Sequence, residues 1–214
     1  MTLAQRVRHW VFDLDNTLYP ARALYDEIGE RMTAYIARTL GVAPAAAFEL
    51  QERYFHEYGA TIVGLVRHHS VDAADFLRDV HEADHSVLVV DAELRALIER
   101  LPGRRIIFTN GGGGHPERVL ESLGLAGRFD AIFDIEAAHL APKPQPESYE
   151  RLIKATAIEP RSAVLIEDTL RNLEPAHALG FTTVLVGDVH PEPRPPYVDY
   201  WTPDLKAFLR EALG

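Results

Sequence analysis

The chain contains no cysteine, which excludes disulfide bonds, thiolate catalysis and zinc sites built on thiolates. Basic residues are scarce beside acidic ones, since 22 Lys and Arg against 32 Asp and Glu give a formal net charge of −10. A nucleic-acid-binding protein would carry a basic face, so this charge argues against a nucleic acid polymer as a partner. An acidic protein that handles a phosphate needs local cations or a metal ion to do so.

Long apolar runs are also missing. The stretch MTLAQRVRHWVFDLD has no run long enough for a signal peptide, and no segment approaches the length of a membrane span. Hydrophobic residues still make up 47% of the 214 positions, which is enough for a packed core. We therefore expect a soluble, cytoplasmic protein without a membrane partner. The composition predicts no particular oligomeric state.

Five short runs rich in Val, Ile and Phe predict β-strands, because each ends in polar or turn-forming residues. These runs are HWVFDLD, RRIIFTN, DAIFDI, SAVLIED and TTVLVG. The helical patterns HPERVLESLGL, PESYERLIKATAI and LRNLEPAHALG lie between or beside the later runs. Strands that alternate with helices, and that are continuously apolar, predict a parallel sheet covered on both faces. We expect a three-layer α/β fold with a Rossmann-like sheet.

The interval from Ala21 to Val90 interrupts this alternation, since it contains helical patterns and no convincing strand. We expect residues 21–90 to form a helical cap inserted after the first strand. Residues 1–20 and 91–214 would then form the α/β catalytic core. Near the C-terminus, the proline-rich stretch PEPRPPYVDYWTPDL predicts an extended surface segment.

Three of the predicted strands end in polar residues, and a lysine lies in a loop that opens a helix. These residues are Asp13, Asp15, Thr109, Asn110, Lys143, Glu167 and Asp168. Ligands of an open parallel sheet bind beyond the carboxyl ends of its strands, so we expect these side chains to meet at one site. Carboxylates a few ångströms apart repel each other unless a hard cation such as Mg²⁺ lies between them.

This set of side chains predicts chemistry at a phosphoryl group. With a metal ion present, one carboxylate of the pair Asp13 and Asp15 can stay ionised as a nucleophile while the other transfers a proton. The side chains of Thr109, Asn110 and Lys143 would neutralise and orient the phosphoryl oxygens, where charge stabilisation is the main catalytic contribution.

The order DLDNT, TN, K, ED along the chain resembles that of the haloacid dehalogenase (HAD) superfamily of phosphohydrolases, and the resemblance covers essentially the whole sequence. It implies that Asp13 is the nucleophile and Asp15 the general acid/base. Thr109 and Lys143 would bind the phosphate, with Asn110 beside them. Dehalogenases of the superfamily lack an acid at the position of Asp15, so the resemblance implies a phosphatase.

The same resemblance implies a set of ligands for Mg²⁺. The ion would be bound by the side chain of Asp13, the backbone carbonyl of Asp15 and the side chain of Asp168. Glu167 and Asn172 would support the metal and its water molecules. The family often has an acid near the position of Asn172, where this chain has an amide.

A narrower similarity is to the pyrimidine 5′-nucleotidase branch of the superfamily. It rests on DNTLYP, on the segment from Tyr58 to Leu65, on DVHEAD and on HPERVLESLGL. The branch uses a helical cap after the first motif, and its implied substrates are UMP-like or CMP-like monophosphates. The alternative is a phosphatase for phosphosugars or other small metabolites. A phosphoglucomutase-type activity shares the same motifs.

The segment HEADH, His81 to His85, literally matches the H-E-x-x-H zinc motif and raises the alternative of a zinc metallopeptidase. That motif needs one continuous helix and a third ligand. SVLVVD follows at once and no third ligand is evident, so we favour a hinge between cap and core. A non-enzymatic protein that binds a phosphorylated ligand is a further alternative, although such a protein would be expected to lack Asp13 or Asp15.

Two other patterns leave alternatives open. The glycines of GGGGH, Gly111 to His115, lack the Lys-Ser/Thr pair of a P-loop, so they indicate either close backbone approach to the site or a flexible turn. The aromatic residues Tyr54, Phe55 and Tyr58 could stack on a base or pack between helices. Of these two alternatives, we favour helix packing.

Overall fold

Six strands form one parallel sheet in the order β3-β2-β1-β4-β5-β6 within residues 2–214, the part of the chain that the computed structural model describes. The strands are β1 (His9–Phe12), β2 (Arg104–Phe108), β3 (Ala131–Phe133), β4 (Ala163–Glu167), β5 (Thr182–Val186) and β6 (Tyr200–Thr202). Strands β2 and β3 lie on one side of β1, and strands β4, β5 and β6 lie on its other side. Such a change of side leaves a crevice at the carboxyl ends of the two strands concerned, here β1 and β4.

Eight helices lie between β1 and β5 in the described part of the chain, and a ninth follows β6. They are α1 (Arg22–Leu40), α2 (Pro44–Tyr58), α3 (Thr61–His69), α4 (Ala73–Val80), α5 (Ala92–Arg100), α6 (His115–Ser122), α7 (Pro146–Thr156), α8 (Leu170–Ala178) and α9 (Leu205–Leu213). Short 3₁₀ turns occur at His85–Val87 and Pro160–Ser162. No helix within residues 2–214 combines the length and the apolarity needed to cross a bilayer.

The alternation of side chains along β1 divides the interior into two cores. Trp10 and Phe12 point into the core that contains residues of α5, α6 and α9, whereas Val11 points into the core that contains residues of α7 and α8. All three side chains are fully buried, as expected for a central parallel strand covered on both faces. This arrangement confirms the predicted three-layer α/β fold.

Helices α1 to α4 lie between β1 and the rest of the sheet in the chain, inside the predicted cap interval. They pack around a third hydrophobic core, which includes Tyr35, Tyr54, Leu65 and Phe76 and also Ile135 from the segment after β3. Helix α1 belongs to both regions, because Leu24 and other residues of its first half pack in a core of the sheet. The division of the chain into cap and core domains stays a prediction.

The C-terminal segment differs from the prediction. The proline-rich stretch contains β6, and Val198 and Leu205 are buried, so this stretch is not simply a surface segment. The physical reason is that β5 would otherwise be an edge strand with unpaired backbone groups, which an extended neighbour satisfies. Residues 184–186 of β5 pair in parallel with residues 200–202 of β6.

Candidate active site

A cavity of about 240 Å³ opens at the carboxyl ends of β1, β2 and β4, beneath the helices of the cap interval. All eight residues that the sequence predicts for the site line it: Asp13, Asp15, Thr109, Asn110, Lys143, Glu167, Asp168 and Asn172. The strand order explains why they meet, since β2 and β4 both pair with β1 and all three end at the same edge of the sheet.

Asp13 lies directly after β1, and its backbone N–H donates to the carbonyl of Ile166 at 2.9 Å. Both of its carboxylate oxygens accept hydrogen bonds: Oδ1 from Nζ of Lys143 at 2.7 Å and Oδ2 from the hydroxyl of Thr17 at 3.0 Å. Burial raises the pKa of Asp13 to about 7, and the charge of Glu167 adds to this, while Lys143 opposes it. The carboxyl group is therefore fixed in orientation, and its ionised form is stabilised mainly by one lysine.

Lys143 is completely enclosed, and its ammonium group uses all three donors. Besides Asp13, it donates to Oε2 of Glu167 at 2.7 Å and to the carbonyl of Phe108 at 2.8 Å. The side chain of Asn110 makes two hydrogen bonds with the backbone of Lys143, at 3.1 Å and 2.8 Å. The Asn110 side chain therefore holds the backbone of the loop that carries Lys143, whereas the sequence analysis expected it to contact the phosphate directly.

Thr109 follows β2 and is buried. Its hydroxyl oxygen accepts a hydrogen bond from the backbone N–H of Gly111 at 3.0 Å. A threonine hydroxyl carries one donor in addition to its acceptor positions, so its hydrogen remains available to an acceptor in the cavity. This geometry is compatible with the predicted contact to a phosphoryl oxygen.

The carboxylates of Asp13, Glu167 and Asp168 come together so closely that one oxygen of each lies within 4.8 Å of the others. Within residues 2–214 no other set of three or more His, Asp or Glu side chains does so. Burial and the charge of Asp13 raise the pKa of Asp168. The oxygen Oδ1 of Asn172 is buried beside this cavity and has no hydrogen-bond partner in the described part of the chain.

These observations fit a hard divalent cation. Mg²⁺ prefers oxygen ligands, is held by one or two carboxylates, and keeps several water molecules. The carboxylates of Asp13 and Asp168 offer such ligands, and an unpaired amide oxygen of Asn172 could accept from a metal-bound water. Glu167 is less available, because its Oε2 contacts Lys143 and its Oε1 accepts from the backbone of Thr169 at 3.1 Å.

Asp15 has two partners that the sequence analysis missed. Its Oδ1 accepts hydrogen bonds from the hydroxyl of Tyr19 and from Nε2 of His115, the latter at 3.1 Å. Burial by itself raises the pKa of Asp15, but the hydrogen bond and charge of His115, with help from Tyr19, outweigh this and hold the pKa below its ordinary value. The only signal in the sequence was the histidine that follows four glycines in GGGGH.

The wall of the cavity opposite the sheet is formed by helices α1 to α4 and is largely apolar. It is formed by Tyr25, Ile28, Met32, Phe55, Ile62 and Phe76, among others. Phe55 is 43% exposed, whereas Tyr54 is buried, so the expectation of helix packing is correct for Tyr54 but wrong for Phe55. The guanidinium group of Arg171, from α8, lies 5.6 Å from the centre of the Phe55 ring.

The histidines of HEADH do not lie on one continuous helix. Helix α4 ends at Val80 with His81 as its C-cap residue, and His85 begins the 3₁₀ turn that follows. The zinc motif requires both histidines on one helical face, so its structural condition is not met. The glycines of GGGGH allow close backbone approach: a Cβ at Gly113 would lie 2.5 Å from the backbone of Leu77 in α4.

The family of haloacid dehalogenase-like hydrolases matches residues 7–180, a span that contains all four motifs and every residue that lines the cavity. The chain belongs to this family. It is therefore an enzyme of the HAD hydrolase superfamily, which confirms the resemblance drawn from the motifs.

Three relatives of this HAD hydrolase are between 17% and 28% identical to it. Phosphate metabolism protein 8 of Saccharomyces cerevisiae is 28% identical over 194 residues, which cover 81% of this chain but only 60% of the yeast protein. A HAD phosphatase from Thermococcus onnurineus has a TM-score of 0.67 at 21% identity, covering 97% of this chain and 98% of its own. The L-2-haloacid dehalogenase of Xanthobacter autotrophicus has a TM-score of 0.62 at 17% identity, covering 95% and 97%. At these identities the two solved structures support the fold alone.

Proposed function

We propose that this HAD hydrolase is a Mg²⁺-dependent phosphomonoester hydrolase that acts through an aspartyl-phosphate on Asp13. The observation that carries the proposal is the convergence on one cavity of an oriented carboxylate, a second carboxylate two residues later, a buried lysine and a buried threonine. The name of the yeast relative, which refers to phosphate metabolism, points in the same direction.

In the first step, a carboxylate oxygen of Asp13 attacks the phosphorus atom, and the bond between phosphorus and the leaving oxygen breaks. The negatively charged phosphoryl group beside Asp15 opposes the effect of His115 and favours the protonated carboxyl group, which gives its proton to that oxygen, and the oxygen leaves as an alcohol. In the second step, Asp15 takes a proton from a water molecule while the oxygen of that water attacks the phosphorus. The bond to Asp13 then breaks and inorganic phosphate is released. The positive charge of Lys143, whose three donors stay on Asp13, Glu167 and Phe108, and the free hydroxyl hydrogen of Thr109 stabilise the negative charge of the phosphoryl oxygens in both steps.

The proposed ligands of Mg²⁺ are the side chains of Asp13 and Asp168 and the backbone carbonyl of Asp15, with Glu167 and Asn172 supporting them. When bound, the ion would neutralise phosphoryl oxygens and the mutual repulsion of the carboxylates. The raised pKa values of Asp13 and Asp168 support this assignment, because both result from burial together with neighbouring negative charge.

For the substrate we propose a pyrimidine nucleoside 5′-monophosphate. The cap wall offers the exposed ring of Phe55 and aliphatic neighbours, which suit a planar base better than a polyhydroxylated sugar. Arg171, next to that ring, offers donors to the carbonyl oxygens of a base. Phosphatases for phosphosugars remain the alternative, and the presence of Asp15 argues against a dehalogenase. Helices α1 to α4 would act as the cap that covers this substrate.

The test is phosphate release from a panel of nucleoside monophosphates and sugar phosphates, measured with Mg²⁺ and with EDTA. We expect Mg²⁺-dependent release that favours UMP and CMP over AMP and hexose phosphates. Asp13→Asn should abolish turnover and leave the folded state intact, while Asp188→Asn, the same change at an exposed carboxylate, should have no effect. Release that favours sugar phosphates would keep the chemistry and refute the nucleotide assignment. No release from any ester by folded protein would refute both.

A further inference from the structure

Three buried histidines form one cluster beside Asp15, in which His115 contacts Asp15 and the other two contact His115, and the mechanism above uses none of them. His115 is 1% exposed, and His81 and His85 are each 8% exposed. Two of them are the histidines of HEADH, for which the zinc motif offers no explanation. Burying several imidazole rings costs desolvation free energy unless they find hydrogen-bond partners, and apolar side chains would fill the same volume without that cost. A cluster of three buried histidines next to one carboxylate therefore calls for a specific reason.

His115 contacts Asp15 directly, through the hydrogen bond from Nε2 to Oδ1. The hydroxyl of Tyr19 reaches the same oxygen from another side. Oδ2 of Asp15 has no hydrogen-bond partner within residues 2–214, and Asp15 lines the cavity. Two donors on one oxygen thus fix the carboxyl group and leave the other oxygen for a ligand in the cavity.

His115 is itself held on several sides. The ring of His81 stacks on it, with ring centres 4.7 Å apart and an angle of 27° between the planes. Nε2 of His85 lies 3.3 Å from Nδ1 of His115. Gly111 leaves room for the ring, since a Cβ at that position would lie 2.9 Å from Cδ2 of His115. The imidazole therefore has little freedom to rotate away from Asp15.

The supporting histidines come from the connection between the cap interval and the sheet. His81 caps the C-terminus of α4, and its Nδ1 hydrogen-bonds the carbonyl of Leu77 at 2.8 Å. His85 lies in the following 3₁₀ turn. The position of the last cap helix is consequently coupled by direct contacts to the side chain that orients Asp15.

We propose that His115 is a positioning residue that orients the carboxyl group of Asp15 toward the leaving oxygen of the substrate, and that His81 and His85 hold it there. This inference rests on the proposed function, because it takes Asp15 as the group that protonates the leaving oxygen. It gives HEADH a role in this enzyme that requires no metal.

The test compares kcat/KM for UMP with kcat/KM for p-nitrophenyl phosphate. For each ester, kcat/KM depends only on the steps up to release of the first product, so hydrolysis of the aspartyl-phosphate does not affect it. The ribose 5′-oxygen needs a proton to leave, whereas p-nitrophenolate leaves as the anion. We expect His115→Leu to lower kcat/KM for UMP roughly tenfold or more, as for a misplaced catalytic group, and to change the value for p-nitrophenyl phosphate far less.

Two variants separate positioning from simple packing. His115→Gln keeps an N–H donor for Asp15 and should recover most of the UMP activity that His115→Leu loses. His85→Leu should cause a smaller loss, and that loss should disappear in the His115→Leu background if His85 acts through His115. His69→Leu is the control, because it removes a histidine bonded to Tyr54 in the cap at 2.7 Å, away from Asp15.

The proposal would be overturned if His115→Leu lowered kcat/KM equally for both esters and His115→Gln did not restore it. The role of His85 would be refuted if the effects of His115→Leu and His85→Leu were additive. If the wild-type enzyme hydrolyses neither ester, the proposed function fails while the positioning claim is still decided by crystallography. The Asp15 carboxyl should then keep its orientation in crystals of the wild type and turn in crystals of His115→Leu. An unchanged carboxyl in the variant would refute the claim.

Discussion

Replacing Asp13 by asparagine should stabilise the metal-free protein at alkaline pH while removing its activity. Burial raises the pKa of Asp13 from its ordinary value of 3.8 to about 7. Because the folded state holds this proton more tightly than the unfolded state, the free energy of unfolding is highest at acid pH. The contribution of Asp13 falls as the pH rises from about 4 to about 7 and is constant above that. Asparagine cannot ionise, so the variant escapes this loss.

The magnitude follows from the same values. At about 1.36 kcal/mol for each tenfold change in the acid constant, the difference corresponds to roughly 4 kcal/mol. That figure is an upper limit, since Lys143 loses a charged partner in the variant and keeps only Glu167 and the carbonyl of Phe108. We expect a net gain of roughly 2 kcal/mol, which in a chain of this length raises Tm by about 4–8 °C.

The assay is thermal unfolding in EDTA at a series of pH values between about 5 and 8. Tm of Asp13→Asn should exceed that of the wild type near pH 8, and this difference should shrink steadily toward pH 5, because the unfolded wild type is ionised above about pH 4 whereas the folded wild type ionises only near pH 7. Adding Mg²⁺ at pH 8 should raise Tm of the wild type more than that of the variant, because a ligand stabilises the state that binds it.

Asp188→Asn is the matched control, since it makes the same chemical change at an exposed position and should leave Tm unchanged across the range. A Tm difference that does not vary with pH would refute the reasoning, because it would show that the ionisation of Asp13 costs the folded state nothing. A variant less stable than the wild type at pH 8 would show that the ion pair with Lys143 outweighs the burial of the carboxylate.

Three further changes address the other groups of the site. Asp15→Asn should lower kcat/KM for UMP by roughly 100-fold, as expected for loss of a general acid, and affect p-nitrophenyl phosphate less; an equal loss for both esters would contradict that role. Lys143→Met should destabilise the metal-free protein by about 3 kcal/mol, because it leaves buried carboxylates unpaired, and urea unfolding that shows no change would contradict the assigned ion pairs. Phe55→Ala should raise KM for UMP several-fold with little change in kcat, whereas an unchanged KM would exclude the ring from binding the base.

Local sequence patterns were enough to predict the strands that carry the site. Each strand is a short apolar run, and the residue that follows it is fixed at the carboxyl edge of the sheet whatever the distant partners are. For this reason Asp13, Thr109 and Asp168 line the same cavity, as expected from their positions in the sequence. The same reasoning failed for β6, because its run is short and interrupted by prolines, and the open edge of β5 decided its conformation.

The sequence by itself determined the order and chemical type of the groups at the strand ends, and with them the superfamily, because these features depend on residues close together in the chain. Only the tertiary structure decided which groups surround them. His115 lies 100 positions after Asp15 and 30 positions after His85, yet its side chain contacts both of them. No periodicity records such contacts, since they arise from how helix α4 packs against the glycine loop after β2. The packing also turned Phe55 toward the cavity and Tyr54 away from it, a choice between adjacent aromatic residues that helical spacing alone left open.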